Sequence, residues 1–381
     1  MIHKKFIKFF ISFILLFFSV LSGQSSKEIS EVSLLFIGDI MGHDIQIHAA
    51  YDTASNNYNY NPCFKYVYHL IDQVDLAVAN LEVTLGGKPY QGYPRFSSPD
   101  ALAIACKHAG IDILLTANNH CYDRGKQGLE CTVKVLDSLN IKHTGTFVNQ
   151  RNKKIHYPLI IYKKGIRLAF LNYTYGTNNI LVQNANVVNY IEKDLIKHDI
   201  NNAHNKGADI IIICFHWGTE YQSNPDSNQI SLYKFCVLQG ADMIIGSHPH
   251  VIQRIEWYRN KNKSHLVAYS LGNFISNQRP RKRDGGVMLN VTVTKNQNKT
   301  RIKNAGYYLT WVYAPVLYGK KKFYIIPVSQ YEKKADFFIK SAYEKMKIFA
   351  DDSRKHLNQE NLNVGEYQYD TTTATWLLDQ N

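Results

Sequence analysis

An α/β fold is expected of this chain on three grounds. Short apolar runs recur along it, amphipathic stretches of helical length separate them, and the runs finish on Asp, Asn, Glu or His. A run that is apolar at every residue reads as a strand buried on both faces, the habit of parallel sheets, and parallel neighbours need crossover connections between them. The carboxyl ends of such strands form the rim at which α/β proteins keep their sites. Polar run ends are therefore the candidate functional residues.

At 381 residues, 45% hydrophobic and 13% aromatic, the chain is long enough for one large domain or two. No repeat or low-complexity linker divides it, so residues 31–328 are expected to form one domain, and 329–381 a helical extension with a loosely ordered tail. The formal net charge is +13, from 44 Lys and Arg against 31 Asp and Glu. A basic surface suits an anionic polymer, a phosphorylated substrate or a membrane surface. Nucleic acid is not expected as a partner, because the lysines are dispersed and no nucleic-acid motif is present.

Lys4, Lys5 and Lys8 precede an apolar stretch from Phe9 to Leu21 and then small Ser22 and Gly23, so residues 1–23 have the layout of a secretory signal peptide. The alternative is an uncleaved segment that tethers the chain to a membrane. Gln24 stands where a lipoprotein signal would carry Cys, so export to the periplasm or cell envelope without a lipid is expected. The six cysteines contain no CxxC pair and their spacing predicts no disulfide; Cys214, inside an apolar run, is expected to be a small core residue.

The first strand is predicted in the stretch from Glu31 to Asp44, ending at Gly38 and Asp39, where glycine permits a sharp turn and the aspartate becomes a hard oxygen ligand or a helix cap. A helix over 64–73 leads to a second strand, 74–82, on which Asn80 and Glu82 share one face; Glu82 is either a bridging carboxylate or an exposed end-of-strand charge. Ser98 and Pro99 start a helix that Gly110 stops, and a third strand, 111–117, runs into Asn118-Asn119-His120 and Asp123. Asp123 is a partner for that chemistry or the cap of the helix that follows, 125–139.

Residues 157–162 and 166–173 are predicted as an antiparallel pair turned by Lys163-Lys164-Gly165. After a helix over 190–206, the apolar run 208–218 closes on His216, with Glu220 and Tyr221 just beyond it. A helix over 228–238 precedes Met243-Ile244-Ile245 and then His248-Pro249-His250, where the proline restricts the backbone between two potential ligands. Strands are expected over 251–257, 265–270, 285–294 and 310–328. Tyr269 to Phe274 presents Asn273; Arg279 to Arg283 is a basic loop able to hold an anion; 335–356 is an amphipathic helix.

Asp39, Asn80 with Glu82, Asn119 with His120, His216, and His248 with His250 all follow apolar strands. Carboxylate, amide and imidazole together suit Mn, Fe or Zn, whereas Ca and Mg prefer oxygen alone. The set lacks cysteine, which argues for a catalytic site over a closed structural zinc. Glu220, Tyr221, Asn273 and Arg281 are the candidate substrate contacts.

The series GDIM (38–41), NLE (80–82), ANNHCYDRG (117–125), HWGTEY (216–221), GADMIIGSHPHVIQ (240–253) and YSLGNF (269–274) resembles the motif series of the CapA family, the capsule or poly-γ-glutamate synthesis proteins. The resemblance runs over roughly residues 32–328. It implies a four-layer αββα sandwich of metallophosphoesterase type with two mixed β-sheets, a divalent transition metal (one or two ions), and membrane-bound capsule-synthesis components as partners. It also implies roles. Asp39, His216, His248 and His250 match metal ligands, Glu82 stands near the bridging carboxylate, and Asn119, a candidate ligand, matches with His120 the asparagine–histidine pair; His120, as general acid, and Asp123 are the candidate catalytic residues. One departure is plain: Met41 stands where the phosphatases carry histidine, leaving His43 as its replacement or one metal position empty. The expected function is synthesis or export of an anionic envelope polymer; the alternatives are a phosphoesterase for a small phosphorylated substrate and a non-catalytic polyanion-binding protein.

Overall fold

The computed structural model describes residues 29–379 apart from 184, 260–263, 298 and 318, so the expected leader lies outside the described residues. Six strands set out the site: β1 (Ser30–Ile40), β2 (Leu76–Leu81), β3 (Ile113–Leu115), β4 (Ile210–His216), β5 (Met243–Ser247) and β6 (Asn273–Ile275). In the first sheet the order is Thr375–Leu378, Gly365–Asp370, Lys299–Tyr313, Gly285–Asn296, β1, β2, β3, Lys142–Thr144, with β6 also pairing β1. The second sheet runs Ile255–Arg259, Ser264–Ala268, β5, β4, Ile166–Thr174, Leu159–Lys163. Both are mixed: β1, β2 and β3 are mutually parallel while Gly285–Asn296 runs against β1, and β4 and β5 are parallel beside an antiparallel outer pair.

Alternation along the strands builds the layers. Val32, Leu34 and Phe36 of β1 face the second sheet, where Phe170, Ile212, Cys214 and Ile245 meet them in one buried cluster. Leu35 and Ile37 point the other way, onto helices that contribute Leu102, Cys106 and Leu136. On the far side, Ile211, Ile213 and Phe215 of β4 pack against Ile196, Ile200, Leu232 and Cys236. Each fully buried side chain of this size contributes roughly 1.5–3 kcal/mol relative to exposure. The result is the helix–sheet–sheet–helix sandwich.

Parallel register then aligns the strand ends: Asp39 lies opposite Asn80 on one side and Asn273 on the other, and His216 lies opposite Ser247. The expected hairpin is present, turned at Lys164 (φ 44°) and Gly165 (φ 79°), the two left-handed residues that a tight β-hairpin turn demands. All six cysteines are free, and Cys214 is in the inter-sheet core.

The carboxyl-terminal segment differs from expectation. Ala335–Phe337 is a single 3₁₀ turn, and the helix runs Lys340–Glu360, with Met346, Phe349 and Leu357 in the inter-sheet core. The tail is not loose: Gly365–Asp370 pairs with Lys299–Tyr313, Tyr367 stacks on Tyr308 at 4.6 Å, and Glu366 accepts from Arg354 at 2.8 Å. Within Gly365–Asp370 the only apolar residues are Tyr367 and Tyr369, which hides the strand pattern. The helix expected over 64–73 is also shorter, Tyr68–Asp72, after a 3₁₀ turn at Asn61–Phe64 that Pro62 begins.

Candidate metal centre

Two close backbone approaches bring the rims together. A Cβ on Gly38 would stand 2.1 Å from the Gly272 carbonyl oxygen, and one on Gly246 would stand 1.9 Å from that of Tyr269. Only glycine permits this proximity, and it sets Asp39 beside Asn273 and β5 beside the loop that ends on it. Past β5 the chain holds His248 (φ 98°) and His250 (φ 56°) in left-handed backbone. Non-glycine residues there carry strain of about 1–3 kcal/mol each, which clusters at sites where geometry serves function.

Glu82 is completely buried, and neither carboxylate oxygen has a hydrogen-bond partner. Its Oε1 lies 3.5 Å from His216 Nε2 and 3.6 Å from His250 Nε2. Asp39, also fully buried, accepts from Asn80 Nδ2 at 2.8 Å through Oδ1, while its Oδ2 is 3.2 Å from His250 Nδ1. Buried His248 leaves Nδ1 without a partner. Two ligand groups share Glu82: Glu82 with His216 and His248, and Asp39 with Glu82 and His250, each with donor atoms within 4.8 Å of one another. Asn119 Oδ1, 2.8 Å from His216 Nε2, adds an amide oxygen to the first. Orphaned buried donors of this chemistry fit a divalent transition metal, and unpaired burial without one is costly.

Electrostatics agree with that fit. Burial, followed by the nearby charges of Asp39, Glu220 and Asp123, pushes the Glu82 carboxyl well above the usual range. Burial and then the other histidines hold His216 well below its ordinary value and bring His248 down to about 3. The imidazoles are thus in the neutral form that coordinates metals. Ser247 Oγ at 3.2 Å from His216 Nδ1, and Asn273 Oδ1 at 3.1 Å from His250 Nδ1, fix the two rings from behind.

Beside these groups, His120 Nδ1 meets Asp123 Oδ2 at 2.6 Å, and both residues are buried. Asp123 Oδ2 also accepts from the Phe96 amide at 2.7 Å, so Asp123 anchors His120 instead of capping the next helix, whose first flanking residue is Arg124. The His120 ring stands edge-on to Phe96 at 4.6 Å.

The remaining expectations divide. Glu220 groups with His248 and His250, and the Tyr221 ring lies 6.1 Å from that of His250. Asn273 is fully buried, and its amide is spent on His250 and on the Arg283 carbonyl at 2.8 Å. Arg281 forms a two-pronged ion pair with Asp352 of the last helix, at 2.5 and 2.6 Å. It is Arg283 that reaches the site, its guanidinium 3.3 Å from the centroid of the Tyr221 ring. Met41 is buried in the cluster beneath the helices, and His43 Nδ1 is bound to Gln46 Oε1 at 3.0 Å; among the described residues His43 belongs to no ligand group.

Tyr175 was not foreseen. Half exposed, it lies 4.6 Å from the His248 ring and stacks on His216 at 6.3 Å. Its signal was available, since it follows an apolar strand that runs parallel to β4 and so ends at the same rim.

Two mixed sheets packed between helices, with carboxylate, amide and imidazole side chains converging where the strands end, define an α/β sandwich protein with a candidate metal centre at one rim. The chain belongs to the family described as bacterial capsule synthesis protein PGA_cap, whose model matches residues 33–278. It is 29% identical over 265 residues to the capsule biosynthesis protein CapA of Bacillus anthracis, covering 66% of this chain and 61% of that one. It is 32% identical over 176 residues to the PGA biosynthesis protein CapA of Bacillus subtilis (strain 168), covering 45% and 44%. The chain therefore spans less than two thirds of either relative. Similar solved structures include the Haemophilus influenzae NAD nucleotidase NadN (14% identity, 91% of this chain, 59% of that chain, TM-score 0.47). Another is the Bacillus subtilis calcineurin-like phosphoesterase YfkN (12% identity, 87% of this chain, 100% of that chain, TM-score 0.43).

Proposed function

We propose that this chain is an exported protein that acts in the synthesis or export of an anionic cell-envelope polymer of the poly-γ-glutamate kind. In this reading it works as a metal-dependent hydrolase or transferase, beside membrane-bound capsule-synthesis components. The observation that carries the reading is Glu82, fully buried with both oxygens unpartnered between His216, His250 and Asp39. Membership of the capsule-synthesis family supports the polymer.

Asp39, Glu82, Asn119, His216, His248 and His250 would hold the ion or ions, of Mn, Fe or Zn type. Such an ion polarises a carbonyl or phosphoryl oxygen and makes water a nucleophile at neutral pH. His120, oriented by Asp123, carries the proton that a leaving group needs. Arg283, flat on Tyr221, offers an anion contact beside His250. The test is metal content of the purified chain beside a His248→Ala, His250→Ala variant, together with poly-γ-glutamate turnover by both. Bound metal and turnover in the wild type, lost in the variant, is the expected result; full turnover by chelator-stripped protein would sink the proposal.

A second reading, a phosphoesterase for a small phosphorylated substrate, is favoured by the His120–Asp123 pair at 2.6 Å. Hydrolysis of a chromogenic phosphodiester with Mn or Zn, in the absence of any turnover of the polymer, would select it.

A further inference from the structure

The loop that follows β4 brings Glu220 over the closing histidines. One carboxylate oxygen of Glu220 and ring nitrogens of His248 and His250 all lie within 4.8 Å of one another. This third group takes one imidazole from each of the other two: His248 also belongs with Glu82 and His216, and His250 with Asp39 and Glu82. Its acceptor is ready, because buried His248 has an Nδ1 without a partner.

The donor balance gives Glu220 something to do. Met41 occupies the position at which an imidazole was expected and lies in an apolar cluster, while His43 is tied to Gln46 and to the Asn277 amide. Asp39, Glu82 and His250 then supply three donor residues, the number that leaves a position of a tetrahedral ion open to water or substrate. Glu220 lies outside that set and adds its carboxylate on the side of His248 and His250.

We propose that Glu220 is a metal ligand, a third carboxylate that closes the centre over His248 and His250. The assignment rests on the reading that the centre binds a divalent ion. It moves Glu220 from substrate contact to ligand, and it makes the donor set richer in oxygen. An added carboxylate shifts preference towards Mn(II).

The full chain, stripped with a chelator, is titrated with Mn(II) alone by calorimetry, and bound metal is counted by elemental analysis, for the wild type, Glu220→Gln and His248→Ala. Each titration is repeated at about 0.1 and about 0.5 M salt, because a field effect between separated charges is screened and a lost ligand is not. Glu220→Gln is expected to keep the melting temperature of the stripped wild type. It should lose more Mn(II) affinity than the roughly 10–100-fold that removal of an outer hydrogen-bond partner costs, at both salts. Wild-type affinity and stoichiometry in Glu220→Gln, beside a loss in His248→Ala, would overturn the assignment and leave the metal centre standing. A loss that disappears at the higher salt reduces Glu220 to a neighbouring charge and also overturns it. Failure of the wild type itself to take up Mn(II) removes the metal reading, and the assignment with it.

Discussion

Glu82 places two carboxylate oxygens in full burial without a hydrogen bond, and an ionised group in that position costs several kcal/mol unless it keeps a proton or meets a cation. Neutral His216 and His248 on one side and Asp39 on the other are groups that could hold such a cation beside it. His120 stands apart from every ligand group among the described residues, so its role separates from metal binding. His120→Asn is expected to lower kcat by about 10²–10⁴-fold, the ordinary worth of a positioned acid or base, with metal content unchanged. Steady-state kinetics and elemental analysis on one preparation check this; a parallel loss of metal would make His120 a ligand instead. Arg283→Ala should raise KM with little change in kcat, since its guanidinium offers charge at the site edge. An equal fall in kcat and kcat/KM would mean that Arg283 acts only in the transition state.

At the level of elements, the site was legible because strand ends are legible. Each of β1, β2, β4 and β5 is an apolar run with a polar finish, and parallel register does the rest by aligning Asp39 with Asn80 and His216 with Ser247. What sequence could not assign was which polar residue faces the crevice and which one braces it from behind. Asn273 and Arg281 looked like substrate contacts, yet one is used on His250 and the other on Asp352, a residue 71 positions away in the chain. Arg283, two residues on, is the one that Tyr221 receives. Pairing over such distances depends on tertiary packing, for which local periodicity carries no signal. The rim also depends on close approach: Gly246→Ala would drive a methyl group into the Tyr269 carbonyl and to 2.4 Å from Trp217 Nε1, which donates to that carbonyl at 2.9 Å. Overpacking of this kind costs about 1–3 kcal/mol and should displace His248 and His250. Urea unfolding and metal content should fall together; a stable variant that had lost no metal would show that β5 yields locally.

At the scale of the whole molecule, the last helix and final strands complete the sandwich, so stability is a property of the described chain through its carboxyl-terminal segment, and the centre is coupled to it through protons. In chelator-treated protein His216 and His248 have folded values below 6.5, so above that pH neither state takes up their protons. As the pH falls below 6.5 the unfolded chain binds protons that the folded chain refuses, and stability drops by about 1.4 kcal/mol per unit for each such group. His248, brought down to about 3, alone removes about 2 kcal/mol by pH 5. Glu82 has the opposite sign: its folded value is raised, so from about pH 4.5 upward the unfolded chain gives up a proton that the folded chain keeps, and stability drains as pH rises. In the stripped protein His216 and His248 therefore lower the melting temperature as pH falls below 6.5, and Glu82 lowers it as pH rises above about 4.5. Saturating Mn(II) should abolish the part of the pH dependence that Glu82 contributes, because a coordinated carboxylate has no need of a proton, and the gain from Mn(II) should grow from pH 5 to pH 8. Thermal melts at three pH values with and without Mn(II) decide it: a gain equal at every pH would show that the bound ion displaces no proton from Glu82.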